Sequence, residues 1–218
     1  MKILFLSDLH MREDFINNLK GFSRKVDVVV NCGDITGRRK PYRETQPKDL
    51  ELYLSLLDGV EHYFILGNDD FFETDHPRRL REPVKLGDVW LVPFEYVPFT
   101  PFNSMREKSE EEMRELLARI PPLSPFIFVT HSPPYGVLDF GGIGVPRHLG
   151  SVALREFVIE RRPIVHAFGH IHEAAGHVFQ NGTHFLNCAW GNFYIVEVMG
   201  SCVEKVERVP SPVERDDG

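Results

Sequence analysis

The sequence predicts an α/β fold in which two packed sheets carry helices on their outer faces. Three observations support this prediction. Short apolar runs of strand length alternate with helical periodicity over the first 170 residues. The residues after that show strand patterns only. The runs are also hydrophobic on both faces, as expected of strands that are covered on both sides.

The amino-terminal elements form a strand–helix–strand unit. Residues 2–7 and 26–31 are apolar runs, and between them Phe15, Leu19 and Phe22 recur with the spacing of one helix face. Strands joined by a crossover helix are usually parallel, so we expect the first two strands to be parallel.

A second helix is predicted over residues 47–58, because Pro47 favours a first helical position and Gly59 favours a helix end. A third strand over 60–66 follows it. The remaining predicted elements are, in chain order, a hairpin over 84–97, a helix capped by Ser109 and Glu112, a strand over 126–130, a helix over 151–161, a strand over 163–169, a hairpin turning at Asn181-Gly182, and two final strands that begin at 192 and 202.

Composition limits the class of protein. The chain has 218 residues, which predicts a single domain over 1–208 and a disordered tail over 209–218. A net charge of -7 argues against a dedicated nucleic-acid binder, which normally carries a basic surface. The three widely spaced cysteines make no disulfide framework and indicate a reducing cytosol.

Neither a secretion signal nor a membrane span is expected. The opening MKILFLSDLH has too short an apolar core for a signal peptide, and no run approaches the ~18 apolar residues of a membrane helix. We therefore expect a soluble cytoplasmic protein with no membrane partner and no obligate nucleic-acid partner. A homodimer remains open.

Five predicted strands end in polar side chains that bind metals or phosphate. In open α/β sheets the carboxyl ends of the strands form the usual ligand-binding edge. The residues at these ends are Asp8 and His10, Asp34, Asn68 and Asp69, His131, and His170 and His172.

The spacing of these residues favours a shared cavity. Asp8 and His10, like His170 and His172, are separated by one residue, so in extended chain both members of a pair point the same way. The glycines before Asp34, Asn68 and His170 are expected to let the backbone bend.

Each motif alone has an ordinary structural explanation, such as a surface turn for Asp8-Leu9-His10 or a structural role for His131. Coincidence at five strand ends is a poor explanation, so a metal-ligand set is favoured. Carboxylate, amide and imidazole without thiolate suit Mn²⁺, Fe, Zn²⁺, Co²⁺ or Ni²⁺. Seven ligands exceed what one tetrahedral zinc needs, and they suit two ions that share one carboxylate.

In these residues the sequence resembles the calcineurin-like metallophosphoesterase superfamily. Its motif series is Asp-x-His, Gly-Asp, Gly-Asn-His-Asp/Glu, a lone His and Gly-His-x-His, and the match runs in order from 8 to 172. The resemblance implies a four-layer α/β/β/α sandwich of two mixed sheets.

The resemblance also implies roles for single residues. Asp8, His10 and His172 would hold one ion, Asn68, His131 and His170 the other, and Asp34 would bridge them. The two ions, with Mn²⁺ expected first, would supply a bridging hydroxide that attacks a small phosphate ester. Asn68 would also touch the phosphate.

The sequence departs from the family at Asp69, where a histidine usually protonates the leaving group. Family members without that histidine act mainly on phosphodiesters or activated esters, which favours a phosphodiesterase with good leaving groups. An ionised Asp69 would also repel a doubly charged monoester more than a diester. Two alternatives stay open: a phosphomonoesterase in which Asp69 is the acid, and a non-catalytic metal-binding scaffold.

A run of cations, Arg38-Arg39-Lys40, lies a few residues after Asp34. It could steer an anion towards the site. A solvated charge run is the favoured interpretation.

Overall fold

Two mixed β-sheets lie face to face, with helices on their outer surfaces, in the computed structural model, which describes residues 1–210. This arrangement confirms the predicted four-layer α/β/β/α sandwich. The helices are α1 (Glu13–Ser23), α2 (Tyr42–Leu56), α3 (Glu110–Leu117) and α4 (Val152–Arg161), with a 3₁₀ turn at His172–Ala174. The strands are β1 (Lys2–Leu6), β2 (Val28–Asn31), β3 (Glu61–Phe64), β4 (Val84–Leu86), β5 (Val89–Phe94), β6 (Val97–Pro98), β7 (Glu107–Lys108), β8 (Phe126–Thr130), β9 (Phe140–Gly141), β10 (Arg147–His148), β11 (Val165–Phe168), β12 (Gly176–Gln180), β13 (Thr183–Asn187), β14 (Tyr194–Met199) and β15 (Cys202–Arg208).

The first sheet has the strand order β15-β14-β1-β2-β3. Strands β1, β2 and β3 are parallel, with Leu4 beside Val29 and Val29 beside His62, which confirms the predicted parallel start. The last two strands of the chain complete this sheet in antiparallel fashion, because β14 pairs with β1 and β15 pairs with β14.

The second sheet has the order β12-β13-β11-β8-β5-β4. Its four central strands are parallel to one another, and the hairpin partners β4 and β12 are antiparallel at the edges. Both predicted hairpins are confirmed, the first turning at Gly87 and Asp88 and the second at Asn181 and Gly182. Two further pairs, β6 with β7 and β9 with β10, are too short for the sequence pattern to reveal.

Three hydrophobic layers hold the sandwich together. Phe5 and Val30 of the first sheet meet Ile127 and Val129 of the second in the central layer. The outer layer of the first sheet packs Leu4 and Phe64 against Phe15, Leu19 and Tyr53 of α1 and α2. The outer layer of the second sheet packs Phe128 and Phe168 against Met113, Leu154 and Phe157 of α3 and α4. Because both faces of each sheet are covered, the central strands β1, β2 and β8 are apolar except at their first or last residues.

The predicted start of the second helix at Pro47 is wrong. Helix α2 begins at Tyr42 and contains Pro47 in its second turn. Contacts distant in sequence favour the earlier start, because Gln46 Nε2 donates to Asp69 O at 2.7 Å and Gln46 Oε1 accepts from Phe71 N at 2.7 Å. Tertiary hydrogen bonds thus outweigh the local preference of proline for a first turn.

The carboxyl-terminal boundary also needs correction. Val209, predicted to begin a disordered tail, is buried, and its backbone N–H donates to Phe193 O at 2.9 Å. The rest of the predicted tail, from 211 to 218, lies outside the described residues. Within residues 1–210, no helix combines the length and apolar character needed to cross a bilayer.

Candidate active site

Loops that follow β1, β2, β3, β8 and β11 meet at one edge of the sandwich, so both sheets contribute to one polar site. The structure brings together all the side chains predicted to hold metal: Asp8, His10, Asp34, Asn68, His131, His170 and His172. Asp69 lies beside them.

One part of the site is built around Asp8. Its Oδ1 lies 3.0 Å from His172 Nε2 and 4.0 Å from His10 Nε2. Its Oδ2 accepts a hydrogen bond of 3.0 Å from the backbone N–H of His170. The His172 ring stacks on Trp190 with centroids 4.8 Å apart. One carboxylate therefore links the Asp-x-His turn to the Gly-His-x-His turn, across 162 residues of chain.

The other part is built around Asp34 and His131. Asp34 Oδ2 lies 3.4 Å from His131 Nε2 and 3.8 Å from His10 Nε2. His131 Nε2 is also 3.0 Å from Asn68 Oδ1, and its ring centroid is 5.1 Å from that of His170. Asp34 thus touches members of both predicted ligand groups, which is the position required of a bridging carboxylate.

The spacing argument assumed an extended backbone at these turns, and this assumption is wrong. Asp8, His10, Asp34 and His170 all have positive φ, between 44° and 72°. Such conformations are costly for residues other than glycine, and they persist where surrounding bonds determine them. Here Asp8 N donates to Gly33 O at 3.0 Å and His10 N donates to Asp34 O at 3.1 Å. The paired residues converge through these left-handed turns instead of through strand geometry.

The glycines of the motifs serve two purposes. Gly33 has a φ of 102°, so the bend expected before Asp34 is present. At Gly67 and Gly169 the requirement is space. A Cβ on Gly67 would lie 2.1 Å from Asp34 Oδ1, and one on Gly169 would lie 2.1 Å from Asp8 Oδ2. These two glycines let the carboxylates approach the neighbouring backbone.

The electrostatics of the cluster oppose the effect of burial. Burial alone would lower the pKa of His131, but Asp34, Asp8 and the Cys32 carbonyl raise it to about 10. Burial alone would raise the pKa of Asp34, but His131 and His10 lower it to about 2. Likewise the pKa of Asp8 is held well below its usual value by His172 against the effect of burial. The carboxylates therefore stay ionised and attract positive charge.

His170 behaves differently from His131. Burial, followed by the positive charge of His131, lowers its pKa to about 4, so it is a neutral imidazole with a free lone pair at physiological pH. A neutral imidazole is the form that binds metals.

The site passes a test of fit for divalent ions. Three sets of side chains place ligand atoms within 4.8 Å of one another: Asp8 with His10 and His172, Asp8 with Asp34 and His131, and His10 with Asp34 and Asp69. His10 Nε2 lies 4.0 Å from Asp8 Oδ1 and 3.8 Å from Asp34 Oδ2, between the two carboxylates. Two buried carboxylates beside imidazole and amide donors satisfy the chemistry of a dinuclear centre for borderline metals.

Asp70 organises the site although it belongs to none of the groups of described side chains that could hold a metal. The carboxylate is fully buried and accepts from Thr36 N at 3.0 Å, Thr36 Oγ1 at 2.7 Å and Gly67 N at 2.9 Å. It thereby fastens the loop that carries Asp34 to the loop that carries Asn68. Burial and the charge of Asp34 raise its pKa. The sequence signal for it was the second aspartate of Gly-Asn-Asp-Asp, a position where the family motif also has an acid.

Arg106 holds the same turn from the other side, and sequence reasoning missed it. Its guanidinium donates to Gly67 O at 3.0 Å, Asp70 O at 2.7 Å and Phe72 O at 2.8 Å. It lies in the irregular segment between β6 and β7, where nothing in the local pattern marks an arginine as buried.

Asp69 lies at the mouth of the site, paired with Arg38. Arg38 Nη2 is 2.5 Å from Asp69 Oδ2 and 3.4 Å from His10 Nε2. Arg38 is exposed, as the interpretation of 38–40 as a solvated charge run expects, but its guanidinium also contacts the site. It also weakens the charge argument made from Asp69 alone, because a guanidinium at this distance offsets the carboxylate that would repel a monoester.

Comparison with known proteins agrees with this geometry. A family model described as calcineurin-like phosphoesterase matches residues 1–174, most of the chain and every predicted metal ligand. Among curated proteins, an uncharacterised protein of Methanocaldococcus jannaschii is 29% identical over 188 residues, covering 80% of this chain and 81% of that protein. Other curated relatives are longer, and the chain spans 56% and 47% of two of them.

Solved structures share the fold at low sequence identity. A dimetal phosphatase from Danio rerio superimposes with a TM-score of 0.61 at 12% identity, covering 98% of this chain and 97% of that chain. A phosphopantetheinyl hydrolase from Mycobacterium tuberculosis gives a TM-score of 0.60 at 14% identity, covering 87% of this chain and 89% of that one.

Proposed function

Since the chain belongs to the calcineurin-like phosphoesterase family, we propose that it hydrolyses phosphodiesters with the help of two divalent metal ions. The observation that carries the proposal is that seven potential ligand side chains from five loops, Asp34 among them, meet in one polar cluster. Ordinary packing does not require two buried carboxylates, Asp8 and Asp34, to lie this close to each other and to imidazoles.

Each side chain has a place in the proposed centre. Asp8, His10 and His172 hold one ion, Asn68, His131 and His170 hold the second, and Asp34 is shared. Mn²⁺ is our first choice, while Fe, Zn²⁺, Co²⁺ and Ni²⁺ also suit the donor set. A bound pair of ions supplies charge that neutralises phosphate oxygens, and it activates water as a nucleophile at neutral pH.

The protein's own groups orient the substrate and fix the donors. Asn68 Oδ1 contacts His131 Nε2 and so lies towards the other proposed metal ligands. The amide N–H groups of Asn68 are left to donate to a phosphate oxygen. His131 is itself fixed by a contact of 2.8 Å between its Nδ1 and Cys32 O. Such outer contacts orient a ligating ring and are worth about 10–100-fold in metal affinity or activity.

The preference for diesters is supported by Asp69. A carboxylate paired with Arg38 occupies the place of the usual histidine acid. Loss of a general acid typically slows catalysis by about 10²–10⁴-fold, which burdens poor leaving groups most. Substrates whose leaving group departs as a stable anion are therefore favoured.

One observation favours a phosphomonoesterase as the second candidate. Burial and the charge of Asp34 raise the pKa of Asp69 against the opposing effect of Arg38. A carboxyl group with a raised pKa is better suited to donate a proton. In that case activity would depend on protonated Asp69 and would extend to monoesters with poor leaving groups.

Hydrolysis of model substrates decides between these candidates. We expect the Mn²⁺-loaded protein to hydrolyse bis(p-nitrophenyl) phosphate with a higher kcat/KM than p-nitrophenyl phosphate, with Asp34→Asn as the inactive control. A clear preference for the monoester would overturn the diesterase proposal. Metal content without any turnover would instead indicate a metal-binding scaffold.

Replacement of Asp69 by histidine tests the leaving-group argument. The Asp69→His variant is expected to gain rate on diesters with poor leaving groups and to show a shallower dependence of rate on leaving-group pKa. An unchanged dependence would mean that position 69 does not face the leaving group.

A further inference from the structure

The loop after β2 brings a guanidinium to the mouth of the site. Arg38 Nη2 lies 2.5 Å from Asp69 Oδ2 and 3.4 Å from His10 Nε2, while 57% of the side chain stays exposed. A side chain that is open to solvent and yet converges on two residues of a buried polar cluster is placed to meet a ligand that enters from solvent.

The neighbouring cations point elsewhere. Arg39 Nη2 pairs with Asp49 Oδ1 at 2.7 Å, and Lys40 Nζ lies 5.8 Å from the ring centroid of Tyr42. Of the three consecutive cations, Arg38 is the one whose charge is directed into the site. If the three cations only attracted anions in general, Arg38 would not need to contact the site while Arg39 and Lys40 contact other residues.

The backbone that carries Arg38 is held firmly. Thr36 N and Oγ1 both donate to Asp70 Oδ1, and Gly37 N donates to Asp49 Oδ2 at 2.9 Å. Any Cβ on Gly37 would come within 3.1 Å of that same carboxylate oxygen. Because the two residues before Arg38 are fixed, the reach of its side chain towards the site is set by the fold.

We propose that Arg38 binds the phosphate of the substrate at the mouth of the metal centre, and that Asp69 is a positioning residue that holds the Arg38 guanidinium there. The proposal rests on the proposed function, since it concerns the same phosphate. A guanidinium has five N–H donors in a planar fork, so one edge bonds the Asp69 carboxylate while another meets two phosphate oxygens.

This arrangement explains what takes the place of the missing histidine. The guanidinium carries a delocalised positive charge, so it stabilises negative charge without transferring a proton. If His10 held a metal ion through Nε2, that nitrogen would not accept from Arg38, and Asp69 would remain as the partner that keeps the guanidinium in place. The pair thus serves anionic leaving groups and gives no help to those that need a proton.

The test compares Arg38→Met with Lys40→Met, which removes the same charge two residues away. For Arg38→Met we expect kcat/KM on bis(p-nitrophenyl) phosphate to fall about 10²-fold, as for loss of one preorganised charge donor. Lys40→Met should stay within about 2-fold, as expected for exposed sites away from such features. Metal content should be equal in both, which would show that the centre itself is intact.

Binding of inorganic phosphate provides a readout that does not need turnover. Calorimetric titration of the Mn²⁺-loaded protein should show weaker phosphate binding in Arg38→Met than in wild type and in Lys40→Met. Equal affinities in all three would overturn the proposal. If wild type hydrolysed no phosphoester at all, the proposed function would fail, and the phosphate titration would still decide the role of Arg38.

A double-mutant cycle tests the role given to Asp69. If Asp69 acts through Arg38, Asp69→Asn should raise KM for the diester in the wild-type background and have little effect in the Arg38→Met background. Independent, multiplicative effects on kcat would show that Asp69 acts by itself, and this would overturn the positioning role. Arg38→Lys, which keeps the charge and loses the fork, should restore part of the phosphate affinity.

Discussion

Two histidines of the second sheet are both completely buried, and their surroundings differ entirely. His131 follows β8 and lies among Asp34, Asp8 and Asn68, where the carboxylates raise its pKa to about 10. His166 lies within β11 between Phe128 and Phe168, with ring centroids 4.9 Å away, and burial lowers its pKa to about 3. Burial is common to both residues, so the carboxylates at the strand ends account for the difference.

The comparison explains where this fold can place chemistry. His166 has one polar contact, at 2.9 Å to Thr130 Oγ1, and its Nδ1 has no partner among the described residues. It serves as a packed ring in the apolar layer under α4. A histidine paired with buried carboxylates needs the loops beyond the strands, because there the carboxylates can lie close to the imidazole and still be hydrogen-bonded.

The largest effect, a loss of activity, is expected when the carboxylate of Asp34 is neutralised. Asp34→Asn should lower kcat/KM by about 10³-fold or more, which corresponds to loss of ~4 kcal/mol of charge stabilisation. In the metal-free variant, NMR titration should show the pKa of His131 falling from about 10 towards that of an uncharged buried site. A pKa that stayed near 10 would mean that Asp34 is not the source of the difference between the two histidines.

A methyl group at Gly67 should sharpen the comparison by moving Asp34 without changing its charge. The added Cβ would lie 2.1 Å from Asp34 Oδ1, so Gly67→Ala should lower the free energy of unfolding by ~3 kcal/mol, as for overpacking. The matched control is Gly21→Ala in α1, where a Cβ meets nothing within 4 Å and a gain of ~0.5–1 kcal/mol is expected. Urea denaturation measures both changes in the free energy of unfolding. A Gly67→Ala protein as stable as wild type would refute the close approach of Asp34 to Gly67.

The smallest effect concerns the pH dependence of stability. His166 has a pKa of 6.5 unfolded and about 3 folded, so below pH 6.5 the unfolded chain takes up a proton that the folded protein does not. Stability is therefore lost as the pH falls from 6.5 towards 3, by ~2 kcal/mol at pH 5. His166→Gln, which can still bond Thr130, should lose ~2 kcal/mol less between pH 7 and pH 5. Identical losses in both proteins would show that His166 is not kept neutral by the apolar layer.

Much of the site was predictable because its signal is local. Apolar runs that stop abruptly at Asp8, Asp34 or His131 mark both the end of a strand and the residue placed there. The order of strands brings these ends to one edge of the sandwich. Glycine positions were also informative, although the reason at Gly67 and Gly169 is close approach and not a bend.

Other features were not predictable because they depend on distant partners. The direction of Arg38 is set by Asp69, 31 residues away in the sequence, and its neighbour Arg39 with the same charge turns to Asp49. The start of α2 depends on the hydrogen bonds that Gln46 makes with the backbone of Asp69 and Phe71. Arg106 reaches that same turn from a segment with no regular pattern. Local propensity carries no information about such contacts.

The central claim is that Asp34 joins two metal ions in one centre. The most direct test is Mn²⁺ titration of the metal-free protein, followed by electron paramagnetic resonance at saturation. We predict two Mn²⁺ ions per chain with the spectrum of an exchange-coupled pair, and loss of the coupling in Asp34→Asn. A single ion per chain, or two ions with the spectra of isolated Mn²⁺, would contradict this account.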